Sequence, residues 1–253
     1  MDRRVMSPDE LDARMRALEL FHALRLEAGV YPIVRVDGRS FSRLTEKRFE
    51  KPFDPRFHGA MLKAAEALLR ETRALYAYTE SDEISLVCPR TWDFFDREVE
   101  KIVSVTASIA TSAFTLALGD AVAFDSRLIA APDEATVVDY FRWRQADASR
   151  CALNGWCYWT LRKAGMGAVA ATRELDDKAV AEKTALLKAA GVDFKSRPSW
   201  ERRGTGLYWE EVEKEGWNPK RKVKEIALRR RVRIDEDLPA GPAYDRLLKG
   251  LLK

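Results

Sequence analysis

The stretch Tyr78–Cys88, "YTESDEISLVC", decides how the rest of the chain is interpreted. Aromatic and β-branched residues on both sides of its centre predict two short strands joined by a tight turn. Three acids, Glu80, Asp82 and Glu83, lie at the tip of this hairpin. Turn formation alone is one explanation of the tip, because serine and aspartate bend the chain readily. A functional site that uses the acids is the second explanation.

The segments around the hairpin predict its fold. Helical spacing over residues 9–28 is followed by "YPIVRVDG", a buried strand that ends at Asp37 and Gly38. Helices are predicted over residues 54–73 and 97–118, on either side of the hairpin, and "AVAFDSRLIA" predicts a further strand. The order strand, helix, strand, strand, helix, strand is typical of the ferredoxin-like split βαβ sheet. We therefore expect an α+β fold with a βαββαβ core.

The second half of the chain predicts added elements. Helices are expected over residues 133–147, 150–164 and 176–190, followed by two strands, "GTGLYWEEV" and "KVKEIALRRRVRI", around the turn "EGWNP". We expect residues 1–130 to form the catalytic core with an N-terminal helix. Residues 131–253 then supply helices and a C-terminal β-hairpin, packed on the core as one unit.

Composition excludes several classes of protein. The chain has 253 residues, 46% of them hydrophobic, which is enough for a substantial core. We find no apolar run of the roughly 18 residues that a membrane span needs, and the charged N-terminal segment lacks the apolar centre of a signal peptide. The three cysteines form no zinc-ligand pattern, and an odd number argues against a disulfide framework. We expect a cytoplasmic protein without membrane association.

Positive charge is concentrated in residues 220–233, "KRKVKEIALRRRVR". This segment holds eight basic residues and one acid, so it contributes +7 to a chain of net charge +4 and leaves −3 for the rest. Clustered Lys and Arg suit phosphate backbones, whose counterions they displace. A solvated edge strand protected by its charges is an equally good explanation. In a strand, Arg229, Arg231 and Arg233 share one face.

The predicted topology brings Asp37 close to the hairpin acids. In a split βαβ sheet the first strand lies beside the central hairpin, so Asp37, Asp82 and Glu83 reach one edge of the sheet. Crowded carboxylates repel one another unless a cation neutralises them, and Mg²⁺ prefers oxygen ligands. This arrangement suits two-metal phosphoryl transfer. With only two histidines in the chain, chemistry that depends on a histidine base is disfavoured.

The segment after Asp37, "DGRSFSRL", suits phosphate binding. Gly38 lets backbone approach a ligand closely, and the N–H groups that follow can cradle phosphates. Arg39 and Lys51 add positive charge. An Asp-Gly turn is weak evidence for phosphate binding by itself, since most such turns have no ligand. The evidence is stronger here because the hairpin acids are predicted to lie beside this turn.

Five motifs in order, "RVDGRSF", "FEKPFD", "SDEISLV", "FDSR" and "WRQAD", resemble the tRNA-His guanylyltransferase (Thg1) family, which includes the Thg1-like reverse polymerases. The resemblance runs from about Val30 to Trp209 and ends with "RPSWERRGTGLYW", which is similar to the family's Arg/Lys-Gly-Thr strand. It implies a polymerase palm-like core and extension of RNA in the 3′-to-5′ direction. It also implies homotetramers with tRNA lying across subunits.

The resemblance assigns roles to individual residues. It implies that Asp37 and Asp82 hold two Mg²⁺ ions, that the Gly38 carbonyl adds a ligand, and that Glu83 supports the site or approaches the metals. The catalytic set is therefore Asp37, Asp82 and Glu83. The nucleotide-binding set is Asp37, Gly38, Arg39, Ser40, Phe41, Ser42, Lys51, Ser81 and Asp82.

Residues further along the chain are candidates for RNA binding. This set is Arg144, Gln145, Asn154, Arg229, Arg231 and Arg233. Arg144 is equally well placed for an ordinary i, i+3 ion pair with Asp147, and Asn154 for capping a turn. We expect Trp159 and Trp209 to lie in the core.

The implied reaction joins a nucleotide to an RNA 5′ end. That end carries a triphosphate, or a monophosphate adenylylated from ATP. The 3′-hydroxyl of the incoming GTP or other nucleoside triphosphate attacks it, and pyrophosphate or AMP leaves.

Departures from the motifs of the family's eukaryotic members indicate which branch of the family this sequence resembles. Ser42 replaces a histidine, Phe53 interrupts "KPND", and residues 149–152, "SRCA", replace "HINN". The last change resembles the bacterial and archaeal Thg1-like proteins, which add nucleotides opposite a template and repair 5′-truncated tRNA. We expect this activity. Addition of a single G to tRNA-His and non-catalytic tRNA binding are the alternatives.

Overall fold

The computed structural model describes residues 6–218 and 223–253. Its helices are α1 (Pro8–Arg16), α2 (Phe41–Arg48), α3 (Pro55–Thr72), α4 (Val99–Leu118), α5 (Glu134–Lys163), α6 (Ala168–Leu175), α7 (Val180–Ala189), α8 (Ser199–Arg203) and α9 (Pro242–Leu251). Its strands are β1 (Tyr31–Gly38), β2 (Tyr76–Glu80), β3 (Glu83–Val87), β4 (Phe124–Ala131), β5 (Thr205–Asn218) and β6 (Val223–Asp235). Short 3₁₀ helices lie at Phe94–Arg97 and Phe194–Ser196.

The described strands form one antiparallel sheet in the order β4-β1-β3-β2-β5-β6. The chain order of β1 to β4, with α3 and α4 between them, confirms the predicted palm-like βαββαβ core. Strands β5 and β6 form the predicted C-terminal hairpin, and β5 pairs with β2 over Thr205–Tyr208. The second half of the chain therefore extends the sheet that the first half begins. The boundary between residues 130 and 131 stays a prediction.

The two faces of the sheet pack against different helices. Val34 and Val36 of β1 join the core formed with α3 and α4, whereas Ile33 joins the core that contains Phe141 of α5. Since successive side chains of a strand alternate between faces, Asp37 projects on the same side as Ile33. The end of β1 therefore presents Asp37 on the face that α5 crosses.

Helix α5 is longer than the sequence predicted. It runs without interruption over Glu134–Lys163, so the break expected between residues 147 and 150 is wrong. The sequence there contains neither proline nor glycine, so nothing in it ends a helix. The continuous helix brings residues near its C-terminal end to the sheet edge where Asp82 lies.

Helix α1 is shorter than the sequence predicted. It ends at Arg16 rather than near residue 28, and it buries none of its residues. Leu18 and Phe21, two apolar residues of the helical pattern predicted over residues 9–28, are exposed in the turns that follow. Without a surface to pack on, the apolar stripe gains little from continuing the helix.

Several shorter elements also differ from the prediction. Helices α2, α6, α8 and α9 were not predicted, and α7 begins at Val180 rather than near residue 176. The expected turn "EGWNP" is wrong over residues 215–218, which belong to β5. Its last residue, Pro219, lies outside the described residues, as do residues 220–222 of the basic segment.

Helix α4 corrects the expectation about apolar runs. Val99–Leu118 is long and apolar enough to cross a membrane by length and composition alone, and it is the one such helix among the described residues. The same composition is found in core helices. In this fold Ile102, Thr106, Ala110 and Phe114 form a buried stripe that packs α4 on the sheet.

Candidate active site

A row of three carboxylates crosses three neighbouring strands. Asp37 of β1 lies directly opposite Glu83 of β3 on one side and Asp125 of β4 on the other. Residues paired in this way project from the same face of a sheet, with Cβ atoms about 5 Å apart. We call Asp125, Asp37 and Glu83 the acid row. The neighbouring row on this face contains Arg35 and Arg127, which also lie opposite each other.

The hairpin turn adds a fourth carboxylate to this edge. The Gly38 N–H donates to the Asp82 carbonyl oxygen at 3.0 Å, which ties the end of β1 to the turn. Ser81 has a left-handed backbone conformation (φ 48°), and its Oγ donates to Asp82 Oδ1 at 3.1 Å. Asp37 and Asp82 therefore lie at one edge of the sheet, as the topology predicted.

Ionisation of these acids is unfavourable in the free protein. Burial, helped by the charge of Asp37, raises the pKa of Asp82 to about 6. Burial and Asp125 raise the pKa of Asp37, against the opposing effect of Arg127 and Arg35. Burial and then Glu83 raise the pKa of Glu80 to about 8. The edge therefore carries more carboxylate charge than its cations offset, which favours a bound cation.

The donor atoms fit Mg²⁺ bound together with a substrate. Within residues 6–218 and 223–253, no group of three or more His, Cys, Asp or Glu side chains is arranged to hold a metal ion by itself. Mg²⁺ commonly takes one or two protein carboxylates and completes its shell with water and substrate phosphates. Asp37 and Asp82 supply such a carboxylate pair.

Glu83 is held by α5. The Arg144 Nε donates to Glu83 Oε1 at 2.7 Å, and the Ser85 Oγ donates to the same oxygen at 3.2 Å. The Arg144 side chain is 7% exposed and also pairs with Asp147 at 3.1 Å and with Glu80 at 3.8 Å. Glu83 is thus tied to α5 through Arg144.

Two members of the predicted RNA-binding set are buried. The Arg144 guanidinium pairs with three carboxylates, those of Glu80, Glu83 and Asp147, so the alternative ion pair with Asp147 is formed, and a contact of Arg144 with RNA stays a prediction. Gln145 is buried as well, and its Nε2 donates to the Pro239 carbonyl at 3.0 Å. Their side chains fasten α5 to the hairpin and to the segment before α9.

A cavity of about 310 Å³ opens beside Asp82. Five members of the predicted nucleotide-binding set line it, namely Phe41, Ser42, Lys51, Ser81 and Asp82. Its remaining lining residues are Thr45, Glu46, Phe57, Tyr158 and Trp159. We call this space the nucleotide cavity. It contains a carboxylate, an ammonium group, hydroxyls and aromatic rings, the groups needed to hold a cation, phosphates and a base.

Lys51 is fixed inside the nucleotide cavity. Its Nζ donates to Thr45 Oγ1 at 2.6 Å and lies 5.6 Å from the centre of the Trp159 ring. Burial lowers the pKa of Lys51, against the raising effect of Glu46 and Asp82. The ammonium group is therefore poorly solvated and available to an anion.

The glycine in the turn before α2, predicted to let backbone approach a ligand, has a structural reason in the protein itself. A Cβ on Gly38 would lie 2.7 Å from the Phe41 ring, which packs in the core against Phe114 and Phe124. Packing of Phe41 thus accounts for the glycine without a ligand. Ser40 is exposed, with left-handed backbone (φ 61°), and precedes α2 as its N-cap; Arg39 is exposed beside it.

Sequence reasoning missed several residues of this region. Trp159 was expected in the core but is half-buried and lines the nucleotide cavity with Tyr158. By contrast, Trp209 packs against the core and donates to the Ala74 carbonyl at 3.0 Å. Asp125 and Arg127 were also missed, although "FDSR" was among the motifs and strand alternation places both on the face of Asp37.

The remaining RNA candidates lie in two other places. Asn154 is half-buried and lines an open cavity of about 430 Å³ with Asp176 and Lys183. Arg229, Arg231 and Arg233 lie on the two-stranded arm, which we define as residues 209–218 of β5 and 223–232 of β6 with the adjoining Arg233.

The arm presents Arg229, Arg231 and Arg233 on one face, as predicted. Arg231 and Arg233 both pair with Glu210, at 2.6 and 3.7 Å. Arg229 is exposed and has no ion pair within the described part of the chain. A groove of about 720 Å³ runs along this face and includes Arg229 and Arg231.

Comparisons with known proteins agree on one family. The family model described as tRNAHis guanylyltransferase matches residues 12–135, and that of the Thg1 C-terminal domain matches residues 135–237. A fission yeast (Schizosaccharomyces pombe) tRNA(His) guanylyltransferase is 30% identical over 220 residues, which cover 82% of this chain and 84% of that protein. A probable mouse tRNA(His) guanylyltransferase is 31% identical over 194 residues, which cover 72% of this chain but 65% of the mouse protein.

Solved structures extend the similarity to nearly the whole chain. A bacterial tRNA(His) guanylyltransferase (Thg1)-like protein in complex with ATP has a TM-score of 0.75 and 25% identity, over 96% of this chain and 99% of that one. A bacterial tRNA(His) guanylyltransferase (Thg1)-like protein in complex with GTP has a TM-score of 0.73 and 25% identity, over 96% of this chain and 98% of that one.

Proposed function

This chain belongs to the tRNA(His) guanylyltransferase family, and we propose that it is a nucleotidyltransferase that adds nucleotides, in the 3′-to-5′ direction and opposite a template, to the 5′ end of truncated tRNA. The observation that carries this proposal is the pair Asp37 and Asp82 at one sheet edge, with the nucleotide cavity beside it. The similarity to a protein solved with ATP and with GTP supports nucleoside triphosphates as substrates.

The reaction forms one bond and breaks one. The 3′-hydroxyl oxygen of the incoming nucleotide bonds to the phosphorus that is attached directly to the 5′ oxygen of the RNA, and the hydroxyl proton is lost to solvent. The bond from that phosphorus to the leaving pyrophosphate breaks, or to AMP where ATP has first activated a 5′-monophosphate. In the nucleotide cavity, Lys51 and the hydroxyls of Ser42 and Ser81 would bind the triphosphate of the incoming nucleotide.

The acids of the sheet edge would hold two Mg²⁺ ions. Asp37 and Asp82 would be their protein ligands together with the Gly38 carbonyl, while Glu83, fixed by Arg144, keeps the hairpin in place. Bound Mg²⁺ would offset negative charge at the reacting phosphate and lower the pKa of the attacking hydroxyl. The positions of the carboxylates are set by β1 and the hairpin, so little reorganisation is needed on binding.

The departure from the eukaryotic "HINN" pattern supports templated repair. Ser149, at the start of that stretch, donates to the Arg202 carbonyl at 2.8 Å, and Arg150 pairs with Asp147 at 2.5 Å. The side chains of Ser149 and Arg150 thus form a hydrogen bond and an ion pair within the protein. Addition of a single G to tRNA-His, the activity in the relatives' names, is the second candidate.

We also propose that the protein forms a homotetramer and is cytoplasmic. Large apolar side chains are exposed near the N-terminus, at Leu18 and Phe21, and on the arm face opposite Arg229, at Trp217 and Leu228. Such surface is commonly covered by another protein chain. Light scattering coupled to size exclusion would give the number of subunits, and a monomer would contradict this part.

Nucleotide addition to tRNAs that lack their first 5′ nucleotide tests the function. Each nucleoside triphosphate is supplied separately with Mg²⁺, to matched 5′-mono- and 5′-triphosphate ends, with Asp82→Ala as the inactive control. Addition that follows the base opposite the gap, and disappears in Asp82→Ala, would support templated repair. Addition of G alone, to tRNA-His alone, would support the second candidate. If no nucleotide is added to any end, non-catalytic tRNA binding remains as the candidate function.

A further inference from the structure

The proposed reaction brings two substrates to the acid row, and the nucleotide cavity provides for one of them. That cavity lies at the hairpin turn and α2. On the β4 side of the same sheet face, the row next to the acids consists of Arg35 and Arg127. Like charges directly opposite each other in a sheet repel, and the neighbouring carboxylates of the acid row offset the repulsion between Arg35 and Arg127 only in part. The pair thus indicates a second anion-binding place near Asp37.

Neither arginine is fully satisfied by the protein. The Arg35 Nε is buried without a hydrogen-bond acceptor in the described structure, and its nearest carboxylate oxygen, on Glu83, is 3.9 Å away. The Arg127 side chain is 52% exposed and pairs with Asp125 at 3.1 Å. Donors of this kind suit the oxygens of a phosphate.

An exposed tryptophan lies beside Arg35 of this pair. Trp143 of α5 is 54% exposed, although aromatic side chains of this size are usually well buried. The Arg35 guanidinium carbon lies 5.7 Å from the centre of its ring and that of Arg144 lies 4.6 Å away. The Tyr140 ring supports Trp143 at 5.8 Å between centroids. An indole held next to guanidinium groups is a suitable surface for stacking a nucleic-acid base.

We propose that Trp143, Arg35 and Arg127 bind the 5′-terminal nucleotide of the acceptor RNA, with Trp143 stacked on its base and the arginines on its phosphate. This inference rests on the proposed function, because it takes the acceptor to be an RNA 5′ end. Arg35 lies two residues before Asp37 on the same face of β1, so the arginine pair lies about 7 Å from the acid row along the strand, next to the place of the reaction. Stacking accepts every base, which suits an enzyme that must accept any terminal nucleotide.

A thermodynamic cycle tests the stacking. Affinity is measured without nucleoside triphosphates, so that no transfer occurs, for truncated tRNA with a 5′-monophosphate whose terminal nucleotide is either normal or abasic. Removing the base is expected to weaken binding to the unmodified protein roughly 5- to 100-fold. Trp143→Ala should weaken binding of the normal RNA by a similar factor and abolish the difference between the two RNAs, whereas Trp143→Phe should retain most of it. An equal effect of base removal in the unmodified protein and in Trp143→Ala would overturn the proposal.

A second pair of variants tests the phosphate. Arg127→Gln should remove the preference for a 5′-phosphate over a 5′-hydroxyl end. Arg142→Gln is the matched control, since the Arg142 side chain is 53% exposed on the same helix as Trp143 and pairs with Asp139 and Asp245. Loss of the preference in both variants, or in neither, would overturn the role given to Arg127.

Nucleotide addition separates this inference from the proposed function. A raised KM for the nucleoside triphosphate in Trp143→Ala, with unchanged RNA affinity, would assign Trp143 to the nucleotide and contradict the inference. If the unmodified protein adds nucleotides but base removal weakens binding equally in it and in Trp143→Ala, the inference alone is contradicted. If base removal matters only in the unmodified protein, yet no nucleotide is added to any end, the proposed function alone is contradicted.

Discussion

Asp37 lies directly opposite Glu83 where β1 pairs with β3, and Glu83 is the one of the two that accepts a hydrogen bond from Arg144. This difference assigns the two carboxylates different tasks. Glu83 accepts the Arg144 Nε–H at 2.7 Å and is tied to α5, whereas Asp37 is influenced by Arg35 and Arg127 from the neighbouring row. The arrangement leaves Asp37, with Asp82, as the under-neutralised pair at the sheet edge.

Removing one of these charges should stabilise the protein without Mg²⁺. Burial and Asp37 raise the pKa of Asp82 to about 6, so its ionised form is unfavourable in the folded state. We expect Asp82→Asn to raise the free energy of unfolding at pH 8, in the presence of chelator, on the order of 1–2 kcal/mol, while nucleotide addition is lost. Urea denaturation of both proteins gives the comparison.

The control for Asp82→Asn is Asp125→Asn in the same acid row. The Asp125 side chain is 58% exposed, so its charge is largely solvated and its removal should change stability little. A loss of stability in Asp82→Asn would instead show that the ionised carboxylate supports the hairpin turn.

Glu80 should make the stability of the protein depend on pH. Burial and Glu83 raise its pKa to about 8 in the folded protein, whereas the ordinary value is 4.5. The folded state therefore binds this proton more tightly than the unfolded chain does. The stability that the proton provides is fully present below about pH 4.5 and is lost as the pH rises through about 8.

Glu80→Gln, which keeps the shape of the protonated side chain, measures this contribution. The free energy of unfolding of Glu80→Gln should fall less between pH 5 and pH 9 than that of the unmodified protein. Glu213→Gln, at an exposed position of the arm, should leave the profile as it was. If the free energy of unfolding changes with pH in the same way for all three proteins, Glu80 is not the source of the pH dependence.

Arg144 should stabilise both the fold and the site. Its side chain is 7% exposed and contacts Glu83, Glu80 and Asp147, so Arg144→Gln leaves these acids without their shared partner. We expect a loss of roughly 3 kcal/mol in the free energy of unfolding. Adding Glu83→Gln to Arg144→Gln should recover part of the loss, because one unpaired carboxylate is then removed.

Arg142→Gln is the control for Arg144→Gln, since Arg142 is exposed two residues earlier on the same helix. In the active protein, Arg144→Gln should lower kcat more than it raises KM for the nucleotide, because Arg144 does not line the nucleotide cavity. No recovery by the added Glu83→Gln would show that Arg144 acts through other contacts.

The palm-like core could be predicted because its signals are local. The pattern "YPIVRVDG", the capped helix after Asp54 and the hairpin around Ser81 each define an element by residues close in sequence, and their order defines the sheet. The meeting of Asp37 and Asp82 then follows from topology alone.

The contacts that α5 makes could not be predicted in this way. Whether Arg144 faces RNA or Glu83, and whether Trp159 lies in the core or in the nucleotide cavity, depends on how a long helix crosses the sheet. The pairing of Arg144 with Asp147 was available from i, i+3 spacing, but its pairing with Glu83 joins residues far apart in sequence. Such tertiary contacts override local preference.

The arm supports a last prediction, on RNA affinity. Arg229 is exposed without an ion pair among the described residues, whereas Arg231 and Arg233 share Glu210. If this face binds the phosphate backbone, replacing all three by Gln should weaken tRNA binding and reduce the slope of log Kd against log salt by about 1–3. Arg229→Gln should account for the largest single share, because no carboxylate must be displaced from it.

Arg230→Gln is the matched control for the arm. Arg230 belongs to the same basic run but projects from the other face, where its guanidinium carbon lies 5.1 Å from the centre of the Trp209 ring. Its replacement should leave the salt slope within about 0.3 of the original if tRNA approaches the face of Arg229. Equal losses in Arg229→Gln and Arg230→Gln would mean that the arm attracts tRNA through its net charge and has no defined RNA-binding face. An unchanged slope in the triple variant would remove the arm from the RNA interface altogether.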